Sequence, residues 1–383
     1  MKRESGRYIT VSTAGEPYQA FVPAPLPPDP PLSLGPELLG RLDTASRALG
    51  RLDGVADHLP DPDLFLYQYI RKEAVLSSQI EGTQSSLSDL ILYEADETPN
   101  VPEHDVREVS DYVAALQHGL DCLDTLPLSL RLIREIHAIL LQSGRGRDKD
   151  PGEFRRSQVW LGGTRLGNAT FVPPPVDQMM DCLAALELFL HTESRYPPLI
   201  RAGMVHVQFE TIHPFLDGNG RVGRLLITLL LCAEGVLSMP LLYLSLFFKL
   251  NRLEYYDRLN AVRADGDWEA WIGYFLRGVE QVAEQAFTAT RAMSGMFETH
   301  REQIRSMGRS AGSVLQVHEM LTKRPILTTA QVVKALQLTK PTVNKAFDLL
   351  QKGGLVEEIT GNRRNRKYKY TDYIAALAEG TEP

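Results

Sequence analysis

Within twelve residues, the run His213-Pro214-Phe215-Leu216-Asp217-Gly218-Asn219-Gly220-Arg221-Val222-Gly223-Arg224 collects a base, a carboxylate, closely spaced glycines and two arginines. Each part suits a triphosphate. His213 accepts a proton near neutral pH. Asp217 is a hard oxygen ligand for a Mg²⁺ shared with substrate phosphates. Gly218 and Gly220 open backbone conformations closed to other residues, which lets consecutive N–H groups turn toward an anion. Arg221 and Arg224, three apart, share one face of a helical turn and reach different phosphates. The element that must present them opens at the same place. Leu225 to Ala233 is an apolar helical run, so the glycines and arginines sit at a helix N-terminus, where the dipole favours phosphate. A zinc site built from His213, Asp217 and His206 fits poorly, because the spacing is unusual for ligands and the arginines repel a cation.

The run resembles the Fic family motif H-x-F-x-[D/E]-G-N-G-R-x-x-R at every fixed position. A chance match is on the order of 10⁻¹⁰ per starting point. The resemblance implies a nucleotidyl transfer, usually of AMP from ATP onto a Ser, Thr or Tyr hydroxyl of a protein, the chain itself included. On that scheme His213 deprotonates the hydroxyl and Asp217 holds Mg²⁺. Gly218, Asn219, Gly220 and Arg221 cradle the α- and β-phosphates, and Arg224 contacts the γ-phosphate. A kinase-like branch of the family carries lysine where Gly220 stands, so the glycine favours AMP transfer over phosphate transfer.

Upstream, Asp61-Pro62 predicts a helix start with proline at the first helical position. The helix runs through Glu73 and Ser77 to Glu81 and stops at Gly82, a natural C-terminal cap. Ser77 and Glu81, four apart, face the same way. A carboxylate in a last turn opposes the dipole by roughly 0.3–1 kcal/mol, so Glu81 calls for a cationic partner. Ser77-Ser78-Gln79-Ile80-Glu81-Gly82 resembles the family's inhibitory signature [S/T]-x-x-x-E-[G/N]. The resemblance implies that Glu81 pairs with Arg224, displaces the γ-phosphate and restrains transfer in cis.

Between the two motifs, Val159–Thr164 and Ala169–Val172 read as short strands around a glycine-rich turn. In Fic proteins such a flap lies over the active site. Leu161, Gly162, Gly163 and Thr164 would then hold an extended target segment by main-chain pairing; a hairpin that only covers the core is the competing reading. Asn251-Arg252-Leu253-Glu254-Tyr255-Tyr256 is similar to a family segment whose asparagine lies near the adenine. Its tyrosines read as helix packing. His206, two turns before His213, reads as a hydrogen-bonded core histidine, and Trp268 and Trp271 read as core.

Hydrophobic residues make up 43% of the 383 and charged residues 23%, ordinary globular values. The polar start shows no signal peptide and no apolar run spans a bilayer. Cys122, Cys182 and Cys232 are odd in number and scattered, which argues against a disulfide framework and for a reducing cytoplasm. The net charge is −7, yet residues 323–370 hold 11 Lys and Arg against 3 acidic residues. A basic segment on an acidic chain suggests two different partners.

The expected organisation is a proline-rich extended arm over 1–35, then a helical region over 36–125 with the inhibitory helix at about 61–82. A catalytic core over 126–280, a helical linker over 281–311, a winged helix-turn-helix over 312–372 and a tail over 373–383 follow. The fold class is mostly α, a helical Fic fold with a β-hairpin flap. In the winged helix, Lys340, Asn344 and Lys345 open the recognition helix while Arg363, Arg364, Arg366 and Lys367 crowd the wing, a pattern suited to DNA. A protein-docking or homodimer module with a solvated basic face is the alternative. For the whole chain, protein adenylylation by ATP and Mg²⁺ stands first. AMP removal at the same site, or a DNA-binding regulator whose core senses nucleotide, are the competing functions.

Overall fold

The apolar runs read as helices dominate the computed structural model, which describes residues 3–13, 16–56, 62–95, 99, 101–144, 146–362 and 366–383. Asp61, the expected helix start, lies outside the described residues. The N-terminal arm departs from expectation. Strands β1 (Gly6–Thr13) and β2 (Glu16–Pro23) pair antiparallel from Gly6↔Pro23 to Thr13↔Glu16. Alternation explains it: Tyr18 and Ala20 turn inward onto Val172, with Ile9 and Val11 beside them, the period-2 pattern of a half-buried strand. Most of the prolines come only after the hairpin.

Helices α1 (Pro36–Ala56), α2 (Pro62–Ile80), α3 (Leu87–Glu94), α4 (Glu103–Leu123) and α5 (Leu130–Leu140) come next. After the flap follow α6 (Val176–His191), α7 (Pro198–Ile212), α8 (Asn219–Ala233), α9 (Ser245–Leu250), α10 (Arg252–Asp265) and α11 (Trp268–Arg305). The pair α7 and α8 forms the centre. Every residue of α7 from Leu199 to Ile212 is buried, and nearly all of α8; helices buried on all sides form the inside of a core. Trp271 of α11 anchors there, its Nε1–H donating to the Gly203 carbonyl at 2.9 Å. The loop joining α7 to α8, residues 213–218, therefore leaves two immobile helix ends.

The flap is less regular than two strands. A single bridge joins Leu161 and Phe171, with a short 3₁₀ turn at Leu166–Asn168. Gly162 and Gly163 both stand at φ +68, which takes the chain out of strand geometry. Asn168 Oδ1 then accepts the Thr164 and Arg165 N–H groups at 2.9 Å each.

The C-terminal unit comprises α12 (Ala311–Lys323), β3 (Ile326–Thr328), α13 (Thr329–Leu336), α14 (Lys340–Lys352), β4 (Val356–Glu358), β5 (Lys367–Tyr370) and α15 (Thr371–Ala378). Its sheet runs β3-β5-β4, both pairs antiparallel. Thr328 caps α13 in a capping box with Gln331, and Thr339 caps α14. Two elements were not expected: β3, and α15 where a plain tail was read. Tyr373, Ile374 and Leu377 bury one face of α15, spaced at helical period. Among the described residues no helix is long and apolar enough to cross a membrane.

Candidate active site

The loop geometry begins at His213, which ends α7 in a left-handed conformation, φ 49 and ψ 61. That conformation costs a non-glycine residue about 1 kcal/mol, and three sets of bonds hold the loop in place. Arg155, fully buried, donates from Nε to the His213 carbonyl at 2.9 Å and from its backbone N–H to the Pro214 carbonyl at 2.9 Å. The same guanidinium reaches the Pro174 carbonyl beyond the flap at 2.5 Å. Asn219 donates from Nδ2 to the Phe215 carbonyl and accepts the Phe215 N–H at 2.9 and 2.8 Å. His137 accepts the Gly152 N–H at Nδ1, 2.8 Å, so its Nε2 carries the proton that it donates to the Asp217 carbonyl at 3.0 Å. Its ring stacks on buried Phe215 at 3.7 Å between centroids. Burial lowers the His137 pKa to about 4, so this tautomer persists at neutral pH.

The Asn219 amide is thus engaged within the loop, and its backbone stands at the start of α8. His137 and Arg155 lie far from the motif in sequence, and nothing in their spacing marks them. His213 itself is kept neutral. Burial first, then the positive charges of Arg263 and Arg155, lower its pKa to about 4. Its Nδ1 is buried without a hydrogen-bond partner among the described residues. An uncharged imidazole at pH 7 is competent to take a proton.

Gly218, at φ +77, opens α8 and gives its N–H to Asp217 Oδ1 at 2.6 Å. The first N–H groups of a helix lack intrahelical partners and face an anion readily. Asp217 remains 41% exposed, with Arg221 Nη2 at 3.7 Å from Oδ1. One open carboxylate suits Mg²⁺, which takes one or two protein oxygens and completes its shell from phosphates and water. Arg221 is buried beside Glu108 of α4, Nη1 to Oε2 3.6 Å. Its Nε and Nη1 make no hydrogen bond among the described residues. Buried donors left in this way are costly unless something fills the cradle. The one cluster of three potential metal ligands among the described residues, His118, Cys122 and Glu135, does not include Asp217.

Arg224 meets the second motif. Its Nε donates to Ser77 Oγ at 2.9 Å, and its Nη2 to the Ser77 carbonyl at 3.0 Å and Glu81 Oε1 at 2.7 Å. Glu81 sits one residue beyond α2, in the turn completed by Gly82 at φ +99, rather than in the last helical turn. Burial pushes its pKa up, but Arg224, with help from Arg221 and His213, more than reverses this, and the net direction is down. The carboxylate is still 37% exposed. Gly220 contributes space rather than conformation. It lies within α8 without a positive φ, and a Cβ there would stand 2.3 Å from Glu81 Oε1.

Two further buried carboxylates escaped the sequence reading. Glu73 on α2 accepts the Ser245 N–H at 3.1 Å, and burial lifts its pKa to about 7. Glu210, one turn before His213, is also lifted to about 7 by burial, and its Oε1 has no partner among the described residues. His206 donates from Nδ1 to the Gly223 carbonyl and accepts the Tyr255 hydroxyl at Nε2, 2.9 and 2.8 Å, a core histidine as read.

The remaining candidates are not all brought together. Asn251 joins α9 to α10 and donates to the Phe247 carbonyl at 2.9 Å, a helix-junction bond. In the flap, Leu161 spends its N–H and carbonyl on Phe171 and Thr170. Exposed Gly162, Gly163 and Thr164 remain, a shorter edge than two strands would offer. Lys340, Asn344 and Lys345 are exposed on the first turns of α14, with Asn344 Oδ1 accepting the Thr329 hydroxyl at 3.1 Å. Arg366 is exposed, and its Nε bonds the Asn362 carbonyl at 3.1 Å. Lys367 departs from the wing reading, because its Nζ reaches inward to the Ala95 carbonyl at the end of α3. Arg363 and Arg364 lie outside the described residues.

Comparison with known proteins agrees with this geometry. The Fic/DOC family N-terminal domain matches residues 39–121 and the Fic/DOC family domain matches residues 127–231. The protein adenylyltransferase Fic of Aedes aegypti is 32% identical over 169 residues, and that of Culex quinquefasciatus 31% identical over the same length. The matched stretch covers 44% of this chain and 31% of each of those relatives. In fold, a Fic family protein from Desulfovibrio desulfuricans superposes with a TM-score of 0.60 at 18% identity, covering 89% of this chain and 98% of that one. With the tandem domains spanning both the Ser77–Gly82 and the His213–Arg224 motifs, the chain belongs to the Fic/DOC family.

Proposed function

We propose that the chain is a protein adenylyltransferase that moves AMP from ATP to a Ser, Thr or Tyr hydroxyl of a protein, and that Glu81 restrains it in cis. One observation carries the reading. A neutral imidazole at the end of α7 and an anion cradle at the start of α8 are held five residues apart by one braced loop. The relatives named as protein adenylyltransferases support the donor and the acceptor class.

His213 takes the proton of the attacking hydroxyl. The hydroxyl oxygen bonds the α-phosphorus, the bond from that phosphorus to the bridging oxygen breaks, and pyrophosphate leaves. The N–H groups at the start of α8, with Arg221, offset the charge on the phosphates where water is partly excluded. Mg²⁺, held through Asp217, would supply further charge neutralisation when bound. Arg224 is the γ-phosphate partner only when Glu81 releases it. While they are paired, the triphosphate lacks its outer anchor and the α-phosphorus is out of line, and small misplacements cost rate steeply.

Incubation of the purified chain with α-labelled ATP and Mg²⁺, followed by mass spectrometry, tests the reading. An AMP adduct supports it. Loss of AMP from a pre-modified protein, without addition, would favour removal as the activity.

A second reading concerns the C-terminal unit. Two helices, a capped third helix and a three-stranded antiparallel sheet match the winged helix-turn-helix order, and exposed Lys340, Asn344 and Lys345 open α14. We infer that this face contacts duplex DNA, in which case affinity falls steeply with salt. Salt-independent binding, or none, would return the face to protein contacts.

A further inference from the structure

The turn that carries Glu81 is packed under a segment from the far end of the chain. Gln79, two residues before Glu81, donates from Nε2 to the Thr381 carbonyl at 2.7 Å and to the Ser85 carbonyl at 2.8 Å. Its Oε1 accepts Lys249 Nζ at 2.7 Å, and that ammonium also meets the Glu382 carbonyl. Two helical turns before Gln79 in α2, Lys72 Nζ donates to the Glu379 carbonyl at 2.7 Å. Thr381 is fully buried, and its Oγ1 accepts the Leu87 N–H at 3.4 Å. The Lys72 ammonium, the Gln79 amide and the Lys249 ammonium, itself bonded to Gln79, thus bind the carbonyls of Glu379, Thr381 and Glu382 to the inhibitory helix. Bonds of this kind, with a charged donor, contribute more than neutral ones.

The other end of the segment is anchored in the C-terminal unit. α15 follows β5 without a linker, and β5 is the central strand of the three-stranded sheet. Lys367 at the start of β5 holds the end of α3, and Ala376 and Leu377 of α15 face Gln68, Tyr69 and Lys72 of α2. The inhibitory turn is closed by its own backbone, Glu81 N–H to the Ser78 carbonyl and Gly82 N–H to the Gln79 carbonyl at 3.0 Å each, but not by its hydroxyls. The buried hydroxyls of Ser78, Thr83 and Ser85 make no hydrogen bond among the described residues. Part of its side-chain support therefore comes from the segment that covers it.

We propose that α15 and residues 379–383 form a latch on the inhibitory turn, through which the C-terminal unit sets how firmly Glu81 holds Arg224. The proposal rests on the transfer reading above. By linkage, whatever displaces the latch favours release of Glu81, and release of Glu81 loosens the latch equally.

The test uses the full chain, the chain lacking residues 379–383, and Gln79→Ala, which leaves the tail in place. Two readouts are taken: AMP transfer from labelled ATP, and hydrogen exchange across residues 72–87. The latch predicts roughly tenfold faster exchange in both variants and a threefold or greater rise in transfer. It also predicts no further rise when either change is added to Glu81→Gly, because both act through the same pair. Unchanged exchange in both variants overturns the latch. So does unchanged transfer in both when Glu81→Gly alone raises it. If Glu81→Gly raises nothing, the transfer reading has failed instead, and the exchange arm still decides the latch.

Discussion

The loop after α7 and the turn after α2 both end a helix and meet the arginines of α8, Arg221 for the loop and Arg224 for the turn, yet they are built in opposite ways. The loop is fixed from several sides: Arg155, Asn219 and His137 each bond its backbone, and Phe215 is sealed in the core. The turn holds its carboxylate by one ion pair, with Glu81 37% exposed and neighbouring hydroxyls unpaired among the described residues. Chemistry that depends on sub-ångström placement is given redundancy. The proposed restraint, which must be reversible, rests on the single Glu81–Arg224 ion pair. Breaking the two should therefore produce opposite results, loss in one case and gain in the other.

The largest effect is expected at His213. His213→Ala should lower transfer by about 10³-fold, within the usual range for a general base, and leave ATP affinity near wild type, because affinity resides in the cradle. Isothermal titration beside labelled transfer checks both. The wild-type rate should also be flat from pH 8 to 6. The active form is the unprotonated imidazole, whose pKa is lowered to about 4, so activity falls only as pH drops toward that value.

Phe215→Ala removes the anchor shared by the His137 ring and the core, at about 3–5 kcal/mol. Denaturant unfolding should show this loss, with transfer reduced in the folded fraction. On the other side of the comparison, Ser77→Ala removes the acceptor of Arg224 Nε. A lost hydrogen bond of about 1 kcal/mol corresponds to a rise in basal transfer of about fivefold. A fall instead would show that Ser77 supports the nucleotide and not the restraint.

Glu210 offers a pH test of the buried side. Its folded pKa is raised to about 7 by burial, so the protonated form is the one the fold favours. Its stabilising contribution is complete below the ordinary carboxylate range and is lost as pH rises through about 7. Glu210→Gln should therefore gain in melting temperature relative to wild type as pH rises from 4.5 to 7. A constant difference would mean that Glu210 ionises normally. The smallest effect is at the C-terminal unit, where Lys345→Ala should flatten the salt dependence of DNA binding by about one unit in a gel-shift titration.

What was legible in the sequence was local. Histidine, carboxylate, glycines and arginines within twelve residues define a cradle because their roles depend on helix phase and on the start of α8. The pairing of Arg224 with Glu81 became an expectation through family resemblance, and the geometry places the two groups together. What was hidden was non-local. Arg155 and His137 act on the loop, and Glu108 on Arg221, from other elements, and no spacing announces that. Asn219 also braces the loop, and Gly220 owes its place to the room it leaves for Glu81 rather than to flexibility, neither of which the motif announces. The N-terminal hairpin was masked by nearby prolines, and α15 by its brevity, since an eight-residue helix depends on the surface it covers.

The central claim is that a finished transfer site is held back by one carboxylate. Its most direct test is AMP transfer from α-labelled ATP by wild type, Glu81→Gly, and Glu81→Gly with His213→Ala, at equal ATP and Mg²⁺. The account predicts at least a tenfold rise in the single variant and its disappearance in the double. Equal rates in wild type and Glu81→Gly would contradict it.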